Sequence, residues 1–330
     1  MARKNTSAEM EIGVRGAGAL RPSGAQFEIA HGSQRAVVTE IGATLRAYTV
    51  GGCDVVNGFG EDEMCRNAAG QVLAPWPNRL AGGVYSFNGR TGRASLDEPE
   101  HGNAIHGLVR WERWSLVSRA QNYCTLSYRL APCPAYAWWL DLVIEYRLGR
   151  RGLEVRLQAA TPGREPAPFG IGFHPYFGAG GSTVDTCRLR VPADRVLTVD
   201  ERQLPVGEAL LSGGELDLRD GTLIGARRID ATYFGFGGAV GRSDGSFDAA
   251  SLVVEGGRCV VVWMDPCFKY LQVFTADGDA FGNVAREAVA IEPMTCPPDG
   301  FNTKRDLITL EPGSVWKGRF GITPRGQGPD

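Results

Sequence analysis

Short runs of alternating apolar and polar residues recur through most of the chain and predict β-strands. The alternation places one face of a strand in a core and the other toward solvent, because successive side chains point to opposite faces. The predicted strands are residues 27–30, 35–38, 44–50, 114–117, 124–130, 138–148, 153–159, 251–255, 259–264, 270–275, 288–292, 307–310 and 315–322. This pattern predicts an all-β protein built as one large antiparallel β-sandwich.

Three segments between predicted strands have the sequence of tight turns. Residues 83–90 alternate in polarity and run into Asn88-Gly89, a dipeptide that strongly favours a two-residue hairpin turn. Glycines predict further turns at residues 149–152 and 256–257. Because such turns join neighbouring strands, they support the antiparallel arrangement.

Helical periodicity is almost absent from the chain. The one short helix that the sequence predicts covers residues 61–72. The 45 glycines and 19 prolines are spread along the chain, no motif repeats at a fixed period, and no change of composition marks an internal linker. We therefore expect a single domain over residues 25–323, preceded by a flexible arm, 1–24, and followed by a tail, 324–330.

Charge and hydropathy exclude several classes of protein. The 330 residues carry a formal net charge of −2, which provides no basic field for nucleic acid or an anionic membrane. No apolar run approaches the ~20 residues of a membrane span, and the first residues lack the apolar segment of a signal peptide. The eight cysteines form no CxxC pair, as expected of reduced thiols. These features predict a cytoplasmic protein without nucleic-acid or membrane partners.

Motifs for the common cofactors and metals are missing from the sequence. It contains no P-loop, no GxSxG nucleophile elbow, no HExxH zinc motif and no EF-hand loop. Residues 170–175 begin like a dinucleotide-binding loop but lack its third glycine and the helix that follows. The sequence therefore predicts neither a cofactor nor a metal ion.

Histidine is the side chain best suited to proton transfer near neutral pH, and the chain has four of them. They are His31, His101, His106 and His174. A lone histidine most often has a structural role. His174 differs because Pro175 follows it and holds its backbone extended, two glycines precede it, and aromatic residues flank it. This setting is typical of the wall of a ligand site.

Three more polar residues occur in distinctive settings. His106 precedes a glycine in a predicted loop, and Arg79 follows the proline-rich stretch 74–78. Glu292 ends the apolar strand 288–292, where partial burial raises a carboxyl pKa toward that of a general base. An ordinary glutamate at a strand end has the same local sequence, so Glu292 is a candidate only.

Six motifs occur in a fixed order along the chain. They are Asn78-Arg79 before a hairpin, Ile-His106-Gly-Leu, His174-Pro-Tyr-Phe177, Asp230 before an aromatic pair, Leu271-Gln272-Val-Phe-Thr275, and Ile-Glu292-Pro-Met-Thr-Cys-Pro-Pro-Asp299-Gly-Phe-Asn302. Together they resemble the aldose 1-epimerase (galactose mutarotase) family from about Gly24 to Thr323. The resemblance implies the galactose mutarotase-like supersandwich, which agrees with the strand pattern.

The resemblance also implies an activity: an isomerase that interconverts the α and β anomers of a free hexose without metal or cofactor. His174 is implied as the general acid at the ring oxygen O5, and Glu292 as the general base at the O1 hydroxyl. The implied substrate-binding residues are Asn78, Arg79, His106, Tyr176, Asp230 and Gln272. The expected partner is a small sugar, and the expected assembly is a monomer or a homodimer.

Three alternatives stay open at this point. Arg110 lies close behind the Ile-His-Gly-Leu motif, as in phosphate-specific relatives, and favours a hexose-6-phosphate mutarotase. The same fold would also serve a non-catalytic sugar-binding protein. A metalloenzyme would use His101, His106 and His174. The stretch before Arg79 departs from the family pattern and is expected to bring Trp76 near the site, which leaves the preferred sugar open.

Overall fold

The computed structural model describes residues 20–254, 256–278 and 285–326. The strands are β1 Gln26–His31, β2 Gln34–Thr39, β3 Leu45–Val50, β4 Cys53–Asp54, β5 Val72–Leu73, β6 Arg79–Ala81, β7 Val84–Phe87, β8 Arg90–Arg93, β9 Asn103–Ile105, β10 Ser115–Ala120, β11 Tyr123–Leu130, β12 Leu140–Gly149, β13 Gly152–Ala160, β14 Ala167–Phe169, β15 Gly172–Phe173, β16 Tyr176–Gly178, β17 Arg188–Arg190, β18 Arg195–Val199, β19 Pro205–Leu210, β20 Thr222–Leu223, β21 Asp230–Phe234, β22 Phe247–Val253, β23 Cys259–Met264, β24 Tyr270–Phe274, β25 Ala288–Met294, β26 Ile308–Leu310 and β27 Trp316–Arg325. A 3₁₀ turn, Val184–Thr186, and one short helix, α1 Gly300–Thr303, complete the regular elements of these residues.

Two large sheets form the layers of the molecule. One has nine strands in the order β10-β11-β12-β13-β27-β23-β22-β17-β20. The other has eight, in the order β19-β18-β21-β24-β25-β15-β5, with β16 also paired to β25. Neighbouring strands run antiparallel, as in the central pairs β12–β13 and β24–β25. The predicted large antiparallel β-sandwich is confirmed.

The facing sides of the two sheets supply the hydrophobic core. In β12 every second residue is buried, as the alternation in its sequence predicts. Phe173 of β15 packs across the layers against Phe320 of β27, with ring centroids 4.9 Å apart, and against Tyr146 of β12 at 6.2 Å. Such aromatic pairs add roughly 0.5–1.5 kcal/mol each to the free energy of apolar burial. This packing holds the eight-stranded sheet firmly against its partner layer.

The predicted turns are also found. β7 and β8 pair as an antiparallel hairpin, and Asn88 and Gly89 between them have φ of 46° and 76°. A two-residue I′ turn requires positive φ at both positions. β12 and β13 meet at the paired residues Gly149 and Gly152, and β22 pairs with β23 across the turn at 256–257.

The predicted helix over residues 61–72 is wrong. This segment consists of turns and irregular backbone and ends in the two-residue strand β5. Asn67 and Ala68 have φ of 49° and 57°, which an α-helix does not allow. The N–H of Gly70 donates instead to the carbonyl oxygen of His174 at 2.8 Å. Tertiary backbone bonding thus overrides the local pattern and draws the segment toward His174. The observed helix α1 has four residues, too few for periodicity to reveal.

The predicted arm and tail fall mostly outside the described residues. Of the arm, 20–24 are described, and the N–H of Gly24 there donates to the carbonyl oxygen of Arg21 at 3.0 Å. Of the tail, 324–326 are described, and β27 continues to Arg325. Among the described residues, no helix has the length and apolar character to cross a membrane.

Candidate active site

A cavity of about 890 Å³ opens on the face of the eight-stranded sheet that is turned away from the core. Val273 and Ile291 belong to the core, so alternation along β24 and β25 turns Gln272 and Glu292 to the opposite side. All of the residues predicted for the site line this cavity, namely Asn78, Arg79, His106, His174, Tyr176, Asp230, Gln272 and Glu292. They come from six distant parts of the chain, and the fold brings them together.

Three neighbouring strands form the floor of the cavity. Glu292 of β25 lies opposite Gln272 of β24, and Gln272 lies opposite Thr232 of β21. These three polar side chains therefore stand in one row across the sheet. Asp230 lies two residues before Thr232 on the same strand and so faces the same side. The register of a rigid sheet thus fixes the spacing of four polar groups.

His174 and Glu292 meet in the lining of the cavity. Nε2 of His174 lies 3.3 Å from Oε1 of Glu292, and the two residues are only 5% and 2% exposed. The ring of Tyr176 stacks on the imidazole of His174 with centroids 5.0 Å apart. Oε2 of Glu292 is buried without a hydrogen-bond partner among the described residues. A buried acceptor of this kind is well suited to a ligand hydroxyl.

Burial sets the protonation of this pair. It lowers the pKa of His174 and raises the pKa of Glu292 well above its ordinary range, since each charged form loses its hydration. Arg110 lowers the pKa of His174 further, and the charge of Asp230 raises that of Glu292 further. Both shifts favour the uncharged form of the pair, in which the imidazole of His174 is neutral and the carboxyl of Glu292 carries the transferable proton. Transfer of that proton across 3.3 Å gives the imidazolium–carboxylate form without exchange with solvent.

His106 is held as a neutral hydrogen-bond donor. The backbone N–H of Asn78 donates to Nδ1 of His106 at 3.2 Å, and the N–H of His106 donates to the carbonyl oxygen of Asn78 at 2.9 Å. Because Nδ1 accepts, the proton of the neutral ring is on Nε2. Burial lowers the pKa of His106, and the neighbouring His174, whose ring is 5.1 Å away, lowers it further.

A polar network forms the wall beside this floor. Arg79 donates from Nε to both oxygens of Glu98 at 3.0 Å, and its Nη2 lies 3.8 Å from Oδ2 of Asp230. Nε2 of Gln272 donates to Oδ1 of Asp230 at 2.5 Å, and the hydroxyl of Thr232 donates to Oε1 of Gln272. Burial raises the pKa of Asp230, while Arg79 opposes the shift. These groups present both donors and acceptors to a polyhydroxylated ligand.

Sequence reasoning missed Glu98 and Asp97. Both belong to an acidic stretch that is typical of a solvated loop, and the pairing of Glu98 with Arg79 depends on the tertiary fold. Asp97 accepts from Nη2 of Arg110 at 2.9 Å, so the charge of Arg110 at the cavity is balanced. The side chain of Arg110 is 13% exposed, and its Nε is buried without a partner among the described residues.

Trp76 is not at the site, contrary to the expectation from its position before Arg79. It is 3% exposed and does not line the cavity. Its ring packs edge-on against Phe301 of α1, with centroids 5.6 Å apart, and lies 6.3 Å from the ring of Tyr85. Trp76 thus belongs to the hydrophobic core.

The three histidines proposed as metal ligands do not come together. His106 and His174 are adjacent, but Nδ1 of His101 lies 3.2 Å from Oε1 of Glu98, and His101 does not line the cavity. Within the described ranges, the group with spacing suitable for a metal is Glu98, Glu100 and His101. Glu98 is already bonded to Arg79, which competes with a cation for its oxygens.

Comparisons with known proteins agree with this fold and cavity. The family model described as Aldose 1-epimerase matches residues 25–323. The uncharacterized protein YihR of Escherichia coli is 31% identical over 306 residues, which cover 91% of this chain and 93% of that protein. Human galactose mutarotase is 26% identical over 226 residues, covering 64% and 65% of the two chains. A galactose mutarotase-like protein from Clostridium acetobutylicum, 18% identical, has the same fold, with a TM-score of 0.79 and coverage of 91% and 95%.

Proposed function

The chain belongs to the aldose 1-epimerase family, and on that premise we propose that it interconverts the α and β anomers of a free hexose by acid–base catalysis. The observation that carries the proposal is the buried pair at the cavity floor, with Nε2 of His174 3.3 Å from Oε1 of Glu292. Mutarotation needs one proton donor and one proton acceptor on either side of the anomeric carbon. A pair that holds one transferable proton supplies both.

In the proposed reaction Glu292 takes the proton of the O1 hydroxyl while His174 gives a proton to O5. The C1–O5 bond breaks with its electron pair going to O5, and the C1–O1 double bond of the aldehyde forms. Rotation about C1–C2 presents the other face of the carbonyl group. The reverse transfers then close the ring and restore both protons.

The reactive form of the pair is the imidazolium–carboxylate form, whereas burial favours the neutral one. Arg79 acts in the required direction, since its positive charge lowers the pKa of Glu292. Oε2 of Glu292 has no partner among the residues that the structure describes, and sugar hydroxyls that donate to it stabilise the carboxylate further. Substrate binding therefore helps to move the proton from Glu292 to His174.

The remaining residues are proposed to hold the sugar. His106 donates from Nε2, and Arg79 donates to hydroxyl oxygens at the wall. Asp230 and Gln272, joined by a 2.5 Å hydrogen bond, bind hydroxyls far from the anomeric carbon. Tyr176 and the Asn78 segment complete the binding surface; the backbone of Asn78 fixes the ring of His106.

The pairing of Arg110 favours a free sugar over a sugar phosphate. Its Nη2 donates to Asp97 at 2.9 Å, so a phosphoryl group there would meet a carboxylate as well as a guanidinium. The observation that favours the second candidate, a hexose-6-phosphate mutarotase, is that Nε of Arg110 has no hydrogen-bond partner within the described part of the chain. Substrate preference distinguishes the two candidates.

Polarimetry tests the function and the substrate class together. We expect the enzyme to accelerate the mutarotation of freshly dissolved α-glucose or α-galactose. Arg110→Ala should change these rates little beyond a shift in their pH dependence, since Arg110 also lowers the pKa of His174. EDTA is expected to leave them unchanged. A much faster reaction with glucose 6-phosphate, lost in Arg110→Ala, would establish the second candidate. Absence of acceleration for all three sugars would contradict both.

A further inference from the structure

The wall of the cavity contains a buried carboxylate that the proposed reaction does not use. We propose that Glu98 is a positioning residue, which holds the guanidinium of Arg79 against the wall and neutralises it, so that Asp230 and Glu292 keep acceptor oxygens for the sugar. This inference rests on the proposed anomer exchange at the same site. Glu98 itself acts through Arg79 and need not touch the substrate.

The contacts of Arg79 are strongly unequal. Its Nε lies 3.0 Å from each oxygen of Glu98 and its Nη2 lies 2.9 Å from Oε1 of Glu98, whereas Asp230 is 3.8 Å away. Both members of the close pair are nearly buried, with side-chain exposures of 11% and 10%. Planar charge-assisted contacts of this kind fix the orientation of a guanidinium. Glu98 therefore sets the direction in which Arg79 points.

Glu98 is anchored on its other side. Nδ2 of Asn103 donates to Oε2 of Glu98 at 3.1 Å and to the carbonyl oxygen of Arg202 at 2.9 Å. The backbones of Glu98 and Asn103 exchange two hydrogen bonds, of 3.1 and 3.2 Å. Burial raises the pKa of Glu98, but the hydrogen bonds and charge of Arg79 outweigh it and hold the pKa below its ordinary value. The carboxylate is thus fixed in place and ionised at neutral pH.

Loss of the Glu98 charge would change the field at Glu292. The groups that face Glu292 are His174 at 3.3 Å, the carboxylate of Asp230, the guanidinium of Arg79 and the hydroxyl of Tyr176. Of these, Arg79 favours the carboxylate and Asp230 disfavours it. With Glu98 neutral, Arg79 is attracted to Asp230 and occupies a carboxylate oxygen that would otherwise accept a hydrogen bond from the sugar. The charge of Arg79 is then no longer neutralised by Glu98 and lowers the pKa of Glu292.

Glu98→Gln tests this inference because glutamine keeps the shape of the side chain and removes its charge. We expect KM for the preferred sugar to rise on the order of ten-fold with a smaller change in kcat, because a sugar acceptor is lost. We also expect the acidic limb of the pH–rate profile to move to lower pH, by roughly half to one unit. In an Arg79→Gln background both effects of Glu98→Gln should vanish.

Glu165→Gln is the matched control. Glu165 also accepts two hydrogen bonds from an arginine, Arg90, but the pair is exposed and does not line the cavity. The kinetics and pH profile of Glu165→Gln should equal those of the wild type. Should Glu98→Gln fail to fold, Glu98→Asp takes its place; it keeps the charge but shortens the side chain, so KM should rise with the pH limb unmoved.

Two results would overturn the inference. One is a Glu98→Gln enzyme that keeps the KM and pH profile of the wild type, whether or not its thermal midpoint changes. The other is persistence of the pH shift when Arg79 is already glutamine.

If the wild type mutarotates none of the sugars, the proposed function fails, and calorimetric binding of the same sugars decides the inference. Weaker binding by Glu98→Gln than by Glu165→Gln then supports it, and equal binding contradicts it.

Discussion

At the scale of single residues, the pair at the cavity floor opposes the stability of the fold. A glutamate in an unfolded chain ionises with a pKa of about 4.3. Burial raises the pKa of Glu292 well above that value, so between the two pKa values the folded protein keeps a proton that the unfolded chain releases. The contribution of Glu292 to the free energy of unfolding therefore falls as pH rises through this window.

Glu292→Gln removes this pH-dependent loss. The variant should become progressively more stable relative to the wild type as pH rises from the unfolded-state pKa of about 4.3 toward the raised pKa of Glu292, by up to about 1.4 kcal/mol per pH unit. Urea unfolding at pH 5, 6.5 and 8 measures the difference, and Glu165→Gln, an exposed carboxylate, should show no such trend. A difference that does not grow with pH would mean that Glu292 is ionised in the folded protein.

The site residues differ in how far the sequence alone could predict them. His174 and Glu292 stand in apolar, proline-flanked segments, so their local sequence already marks them. Asp230 and Gln272 have no local signal and were predicted through the family resemblance. Glu98 could not be predicted, because its partner Arg79 is 19 residues away and their contact exists only in the folded chain. Trp76 was misplaced because sequence order does not give the side to which a side chain points.

At the scale of elements, the site depends on one close approach of two backbone segments. Gly107, directly after His106, has φ of 72°, and a Cβ there would lie 2.0 Å from the carbonyl oxygen of Ala74. The N–H of Leu108 donates to that same oxygen at 2.7 Å. Residues 75–79 follow Ala74 and carry Asn78 and Arg79 into the cavity. A side chain at position 107 must therefore displace the binding wall.

Gly107→Ala and Gly89→Ala form a matched pair for this claim. Gly89 has a similar φ of 76°, but nothing lies within 4 Å of a Cβ placed there. Gly89→Ala should lose about 1–2 kcal/mol of stability from the left-handed backbone alone. Gly107→Ala should lose clearly more and should also raise KM. Urea unfolding and mutarotation kinetics measure both effects, and equal losses in the two variants would refute the role of the contact.

Strands and turns were predictable because their signals are local. Alternation of polarity and glycine turns gave β12, β13 and the β7–β8 hairpin close to their observed bounds. The 61–72 segment failed because its backbone bonds go to distant residues, among them the carbonyl oxygen of His174. The order of strands within the sheets, which sets the row from Glu292 to Thr232, depends on long-range pairing that polarity does not encode.

At the scale of the whole molecule, the two-layer sandwich supports the cavity floor that carries the polar residues of the candidate site. The nine-stranded sheet and the core hold β21, β24 and β25 in fixed register, and loops from the first half of the chain bring Asn78, Arg79 and His106 over that floor. Rigid strands thus carry Glu292, Asp230 and Gln272, and shorter segments carry the rest. This division places Glu292, the proposed general base, on β25, an interior strand that is paired on both sides in the eight-stranded sheet.

The kinetics of Glu292→Gln and His174→Asn test the central claim most directly. Positioned proton transfer contributes roughly 10²–10⁴-fold per group, so each variant should lose about that much in kcat for mutarotation of the preferred hexose. KM should change far less, because both replacements keep hydrogen-bonding capacity and similar size. The double variant should lose much less than the product of the single losses, since the two groups act as a unit. A Glu292→Gln enzyme with nearly the wild-type kcat would contradict the account.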